Sequence, residues 1–150
     1  NLLAYGNANQ TKPSQGHYYY YYYYRTTTTS ATTTTTTVMG FQKTIIREGN
    51  GVKPRSGQSV TVHCTGYGKD RDLSKKFWST KDPGQQPFTF SVGQGQVIKA
   101  WDEGVIGMSI GEIAKIHASP DYAYGSGGFP AWGIMPNSEL VFEIEVLKYD

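Results

Sequence analysis

Leu140-Val141-Phe142-Glu143-Ile144-Glu145-Val146-Leu147 puts Leu140, Phe142, Ile144 and Val146 on one side of an extended chain. Val141, Glu143, Glu145 and Leu147 fall on the other side. Successive side chains of a strand point to opposite faces, so this period of 2 predicts a strand with one buried face. Working outward, the same period runs through Val60, Val62 and Cys64 against Thr61, His63 and Thr65. It returns in Phe88, Phe90 and Val92 against Thr89 and Ser91, and more weakly in Ile113–Ala118 and Thr44–Arg47. Turn-forming clusters separate these runs: Glu48-Gly49-Asn50-Gly51, Asp82-Pro83-Gly84, and Gly125 to Pro130. Only Gln96–Ile106 has a helical pattern, with Ile98, Trp101 and Val105 spaced +3 and +4. Gly104 and Gly107 weaken any longer helix, which leaves about two turns. The fold class is therefore α+β, an antiparallel sheet packed on one short α-helix.

The chain has 150 residues and a net charge of +2, and the distribution of that charge matters more than its size. Lys12 and Arg25 are the only charges in residues 1–38; without them the 14 basic residues become 12, against 12 acidic ones. The part from Met39 onward is thus neutral, with no basic face for nucleic acid or an anionic membrane. No run approaches the roughly 18 apolar residues of a membrane span. The single cysteine, Cys64, excludes an internal disulfide and fits a reducing compartment. Residues 18–24 are seven consecutive tyrosines, and residues 26–37 are ten threonines broken only by Ser30 and Ala31. Neither tract has a period that could turn one face to a core, and a homopolymer specifies no register. Tyr and Thr favour strands, so the tract could pair or aggregate when exposed, but disorder is its physical default. The expected division is a low-complexity upstream extension over 1–38 and one domain over 39–150, with Met39 as the biological start. The extension lacks the features of a signal peptide or a presequence. Without a secretion signal, the glycosylation triplet Asn9-Gln10-Thr11 carries no weight.

Several catalytic motifs fail on context. Gly107-Met108-Ser109-Ile110-Gly111 spells the G-x-S-x-G nucleophile elbow. An elbow needs a parallel sheet and an acid that can orient a histidine, whereas Glu112 shares the turn with Ser109 and cannot reach His117. We read it as a turn. Gly93-Gln94-Gly95 precedes the helix like a dinucleotide loop, but Ile98 stands where the third glycine belongs, and no parallel crossover follows. His63 and His117 sit singly on strands, His17 lies in the extension, and one cysteine makes no thiolate site, so no metal is expected.

A different set of residues coheres. Val97-Ile98-Lys99-Ala100-Trp101-Asp102-Glu103-Gly104-Val105 is followed by Met108-Ser109-Ile110-Gly111-Glu112. Then come Ser119-Pro120-Asp121-Tyr122-Ala123-Tyr124-Gly125, Phe129-Pro130, Ile134-Met135-Pro136-Asn137 and Leu140-Val141-Phe142-Glu143. Together with Gly57-Gln58, Val62-His63 and Pro87-Phe88, these blocks closely resemble the FKBP-type peptidyl-prolyl isomerases, the immunophilins that bind tacrolimus and rapamycin. The resemblance runs from Gly40 to Asp150, and Phe77-Trp78 with Phe129-Pro130-Ala131-Trp132 resembles the small single-domain plant type. It implies a half-open sheet, a half-barrel, curled around the helix with an apolar pocket between them. By position, Trp101 would be the pocket floor and Phe77, Phe88, Val97, Ile98 and Phe142 its walls. Tyr124 would offer its hydroxyl, with Phe129, Ile134 and Met135 on the rim. Trp101 and Phe142 would also be buried as plain core; Tyr124, Phe129 and Ile134, in a glycine-rich loop, are harder to explain that way.

Isomerase chemistry suits such residues. The rotation barrier of an amide, roughly 18–20 kcal/mol, comes from resonance, and an X–Pro bond has nearly balanced isomers that exchange slowly. A water-poor aromatic pocket that fits the twisted form lowers the barrier without nucleophile, metal or cofactor. The Ile98 N–H and the Tyr124 hydroxyl are the candidate donors. Against the family pattern, Cys64 stands where tyrosine is usual and Trp78 where aspartate is usual, and the usual arginine falls at Pro83 or Gly84. A polar cluster on one wall is therefore missing, which predicts weakened macrolide binding with less effect on turnover. Cys64, facing inward with Val60 and Val62, reads better as a small buried hydrophobe than as a redox group. The resemblance implies proline-containing polypeptides as partners, a monomer, and a cytoplasmic location with nuclear entry open. A second reading is a non-catalytic module that grips a proline or leucine turn of a partner.

Overall fold

The computed structural model of the chain describes residues 19–21, 24–30 and 33–150. Its elements are β1 (Tyr19–Tyr21), β2 (Tyr24–Ser30), β3 (Thr33–Met39), β4 (Phe41–Arg47), β5 (Ser59–Tyr67), β6 (Lys76–Ser79), β7 (Phe88–Ser91), α1 (Lys99–Val105), β8 (Ile113–Ala118) and β9 (Leu140–Tyr149). β2 and β3 form a two-stranded ladder, and the remaining strands form one antiparallel sheet in the order β1-β4-β8-β9-β5-β6. β7 also pairs with β5, along Ser59–Val62, while β6 takes Thr65–Tyr67. β6 and β7 thus share one edge of β5 end to end, and the sheet curls around α1 without closing. The expectation for residues 1–18, 22–23 and 31–32 lies outside the described residues.

The period-2 readings translate directly into burial. Leu140, Phe142, Ile144 and Val146 of β9 and Val60, Val62 and Cys64 of β5 are all buried. β9 is the central strand: Phe142 lies opposite Ile116 of β8 on one side and Gly66 of β5 on the other. Against this face α1 lays Ala100, Trp101, Gly104 and Val105. Glycine inside a helix costs about 1 kcal/mol relative to alanine, but a Cβ on Gly104 would lie 2.6 Å from Ile116 Cδ1. The missing side chain lets the helix sit close to the sheet. Trp101 is held over the strands as a result.

Three details depart from the sequence reading. The four residues of β6 carried too little alternation to be foreseen. The helix begins at Lys99, so Gln96–Ile98 belong to the loop before it. Phe88 is 37% exposed, although it alternates in register with buried Phe90 and Val92, because β7 lies at the sheet edge. The turn expected at Gly107–Gly111 is present. Ser109 is buried there, and its N–H donates to Glu112 Oε2 at 2.9 Å. His117 Nε2 instead meets Glu139 Oε2 at 2.8 Å on the exposed side of the sheet. The other carboxylate oxygen of Glu112 pairs with Lys43 Nζ at 3.0 Å, both side chains being almost fully buried. Burial pulls the Lys43 pKa below its ordinary value, with the Glu112 carboxylate opposing that pull.

Candidate functional site

Trp101 is the hub of an aromatic cluster. Phe142 of β9 meets it edge-on at 5.4 Å and 88°, Phe88 at 5.9 Å and 74°, and Phe90 lies tilted at 5.8 Å. Phe77 of β6 in turn stands edge-on to Phe142, at 5.9 Å and 87°. Edge-to-face pairs align the positive ring edge with a negative ring face, and each contributes about 0.5–1.5 kcal/mol beyond its buried area. A Cβ on Gly66 would overlap the tip of the Phe77 ring, so this glycine lets Phe77 approach β5 closely. Helix, central strand and edge strands thus brace one another's rings. The floor and the walls are one packed unit.

Polar groups around this unit are left unpaired. Trp101 is 4% exposed, and among the described residues its Nε1 is the one fully buried side-chain nitrogen or oxygen without a hydrogen-bond partner. Such a group costs about 1–3 kcal/mol of desolvation and calls for a reason. The Ile98 carbonyl accepts from Trp101 N–H at 3.0 Å and Asp102 N–H at 3.1 Å, while the Ile98 N–H finds no acceptor among the described residues. The half-buried Tyr124 hydroxyl makes no hydrogen bond among them either, and its ring packs on Phe129 at 5.4 Å. Burial raises the Tyr124 pKa above the usual phenol range, so the hydroxyl keeps its proton and can donate.

The wall toward β6 is aromatic throughout. Trp78 and Trp132 stack at 5.6 Å and 6°, and Trp132 also stacks on Phe77 at 5.7 Å and 20°. Phe129 meets Trp132 at 4.8 Å, and Trp78 meets Phe88 edge-on at 6.3 Å. Trp132 lies in the 3₁₀ turn Pro130–Trp132, whose chain reverses through Gly133 at φ 70°. Sequence reasoning noted Trp132 as a family detail and missed its place in the wall. The only local signal was a large aromatic stranded in a glycine-rich loop.

Among the candidates, Val97, Ile98, Phe77, Trp78 and Tyr124 are half-buried beside the core. Phe88, Phe129 and Met135 are exposed at 37%, 37% and 44%. Ile134 corrects the expectation: it is 1% exposed and lies under the loop, not on its rim. Its backbone closes that loop, with Phe129 N–H donating to its carbonyl at 2.8 Å and its own N–H to the Phe129 carbonyl at 3.1 Å. Cys64 is 2% exposed. Burial pushes its thiol up to about 12, so it stays protonated and packs as a small apolar group.

Comparison with known proteins follows the same outline. The profile of FKBP-type peptidyl-prolyl cis-trans isomerases matches residues 50–147. Peptidyl-prolyl cis-trans isomerase FKBP12 of Vicia faba is 72% identical over 110 residues, which cover 73% of this chain and 98% of the relative. The protein of the same name from Arabidopsis thaliana gives the same identity and coverage. Peptidyl-prolyl cis-trans isomerase Fkbp12 of Drosophila melanogaster is 49% identical over 113 residues, covering 75% of this chain and 100% of the relative.

Proposed function

Since the chain belongs to the FKBP-type peptidyl-prolyl cis-trans isomerases and is an isomerase of proline-containing polypeptides, we propose that its own aromatic unit around Trp101 is where the X–Pro bond turns. The proline ring lies against the Trp101 floor, between Phe77, Phe88, Val97, Ile98 and Phe142. Out of water, the planar amide loses solvation of its charge-separated resonance form, while the twisted transition state, which lacks that resonance, loses less. The Ile98 N–H and the Tyr124 hydroxyl hold carbonyl oxygens of the substrate so that only the X–Pro bond is free to rotate. Phe129 and Met135 touch the flanking residues. Each 1.36 kcal/mol of differential stabilisation is tenfold in rate, so roughly 5–7 kcal/mol accounts for about 10⁴–10⁵. No covalent step is required.

The observation that carries this placement is the pairing of an aromatic floor with two unpaired donors, Ile98 N–H and Tyr124 Oη, on the loops that flank it. On the same reading, residues 39–150 are the functional unit, a monomer that acts in the cytoplasm, with nuclear entry open. No helix among the described residues is long and apolar enough to cross a membrane. Macrolides such as tacrolimus or rapamycin would share the floor and bind weakly, because Cys64 and Trp78 offer their oxygens no hydrogen bond.

Peptide isomerisation by residues 39–150 tests the placement. Trp101→Leu should keep the fold and weaken peptide binding. Tyr124→Phe should cost about 0.5–1.5 kcal/mol of ligand affinity, the worth of one hydrogen bond. If both variants match the parent, the site lies elsewhere.

A further inference from the structure

The loop that brings Val97 and Ile98 to the floor is tied by Gln96 Oε1, which accepts the Ser91 N–H at 2.9 Å, by Gln94 Nε2, which donates to Ser56 Oγ at 3.2 Å, and at both of its ends by Asp102. Asp102 Oδ1 accepts the Gly93 N–H at 2.7 Å, and its Oδ2 accepts the Gly95 N–H at 2.9 Å. Both glycines have left-handed backbones, φ 73° and 68°, which aim their N–H groups into a shared concavity that the carboxylate fills. The Asp102 backbone N–H meanwhile donates to the Ile98 carbonyl at 3.1 Å. Asp102 therefore grips the loop at its start through the carboxylate and at its end through the main chain. Residues 101 and 102 point about 100° apart around the helix. Trp101 turns to the core and forms the floor, while its neighbour fixes the wall beside it. Charge-assisted bonds to backbone N–H groups are about twice as strong as neutral ones, which suits a clamp on a loop exposed to water.

From this geometry we infer that Asp102 is a positioning residue for the isomerisation: it touches no substrate and sets where Val97 and the unpaired Ile98 N–H stand above Trp101. The inference rests on the site proposed above. A donor that holds the non-rotating side of the X–Pro bond acts equally before and during rotation, so misplacing it raises KM and spares kcat.

The test uses the full chain with Asp102→Ala, Asp102→Asn and, as a control on the site itself, Trp101→Leu. Read-outs are kcat and KM on an X–Pro peptide, the thermal midpoint, and hydrogen exchange at the Gly93 and Gly95 amides. Asp102→Ala should raise KM about 3- to 10-fold with kcat within about twofold, and should speed exchange at both glycines. Asp102→Asn keeps an acceptor oxygen without the charge and should fall between alanine and the parent. Should the alanine variant not fold, the asparagine variant decides the matter, and kinetics equal to the parent's overturn the proposal. Unchanged KM in Asp102→Ala beside a raised KM in Trp101→Leu overturns the role of Asp102 and leaves the site standing. A fall in kcat together with the thermal midpoint marks a merely structural role and also overturns it. If Trp101→Leu equals the parent, the site reading fails and the positioning role fails with it.

Discussion

Cys64 and Trp78 are the residues expected to alter one wall of the site, and the structure shows what holds them. Cys64 is buried, with its N–H bonded to Thr80 Oγ1 at 3.0 Å and that hydroxyl also meeting His63 Nδ1 at 2.9 Å. Trp78 spends its ring on Trp132 and its indole N–H on Gln85 Oε1 at 3.5 Å. A ligand oxygen arriving at this wall meets ring faces, and a buried acceptor left unpaired costs about 1–3 kcal/mol. The double change Cys64→Tyr with Trp78→Asp should therefore strengthen tacrolimus or rapamycin binding by roughly 5- to 150-fold and alter peptide turnover much less. Inhibitor affinity and turnover measured side by side on the parent and the double variant check this. Tight drug binding by the parent, or equal gains in both, would show that this wall does not set the difference.

At the scale of elements, the alternating strands were legible because each carries its instruction locally. Ile113–Ala118 appears as β8 with the foreseen bounds, and β9 buries the face read from its pattern. The aromatic wall was not legible in this way. Trp132 belongs to a short 3₁₀ turn with no period, and its stacking partners Phe77 and Trp78 lie on a strand more than fifty residues earlier. β6 escaped notice for a related reason: Lys76-Phe77-Trp78-Ser79 is specified by the edge of β5 that it joins, not by alternation of its own. The rim position given to Ile134 failed because sequence adjacency to exposed Met135 does not reveal which of two neighbours a loop turns inward. Trp132 also fastens the 125–137 loop to the sheet. Trp132→Ala should lower stability by about 1–2 kcal/mol, below the 3–5 typical of a fully buried aromatic, and should open that loop to proteolysis. Chemical denaturation and limited digestion of the variant against the parent read both effects.

At the scale of the molecule, the hydrophobic cluster among the residues whose burial is described runs from Phe41 to Val146. The tyrosine and threonine tracts have no period that could turn one face to this core, so deleting residues 1–38 should leave isomerase activity and the thermal midpoint essentially unchanged. The extension does have one described link to the sheet, β1 alongside β4 through Tyr19–Thr44, Tyr20–Lys43 and Tyr21–Gln42. A lower midpoint in the truncated protein would mean that this pairing contributes to the fold. The order of the strands has a further consequence during protein synthesis. β9 follows the other described strands in the chain, yet it lies between β8 and β5 and supplies Phe142 to the aromatic cluster around Trp101. At about 5–20 residues per second, a ribosome exposes all the earlier strands before the segment that joins the two halves of the sheet has emerged. Until then the Val60–Cys64 and Ile113–Ala118 strands have no central partner, and their apolar faces stay open to ribosome-associated chaperones. An enzyme that turns proline bonds in other chains thus completes its own fold only after β9 has cleared the exit tunnel.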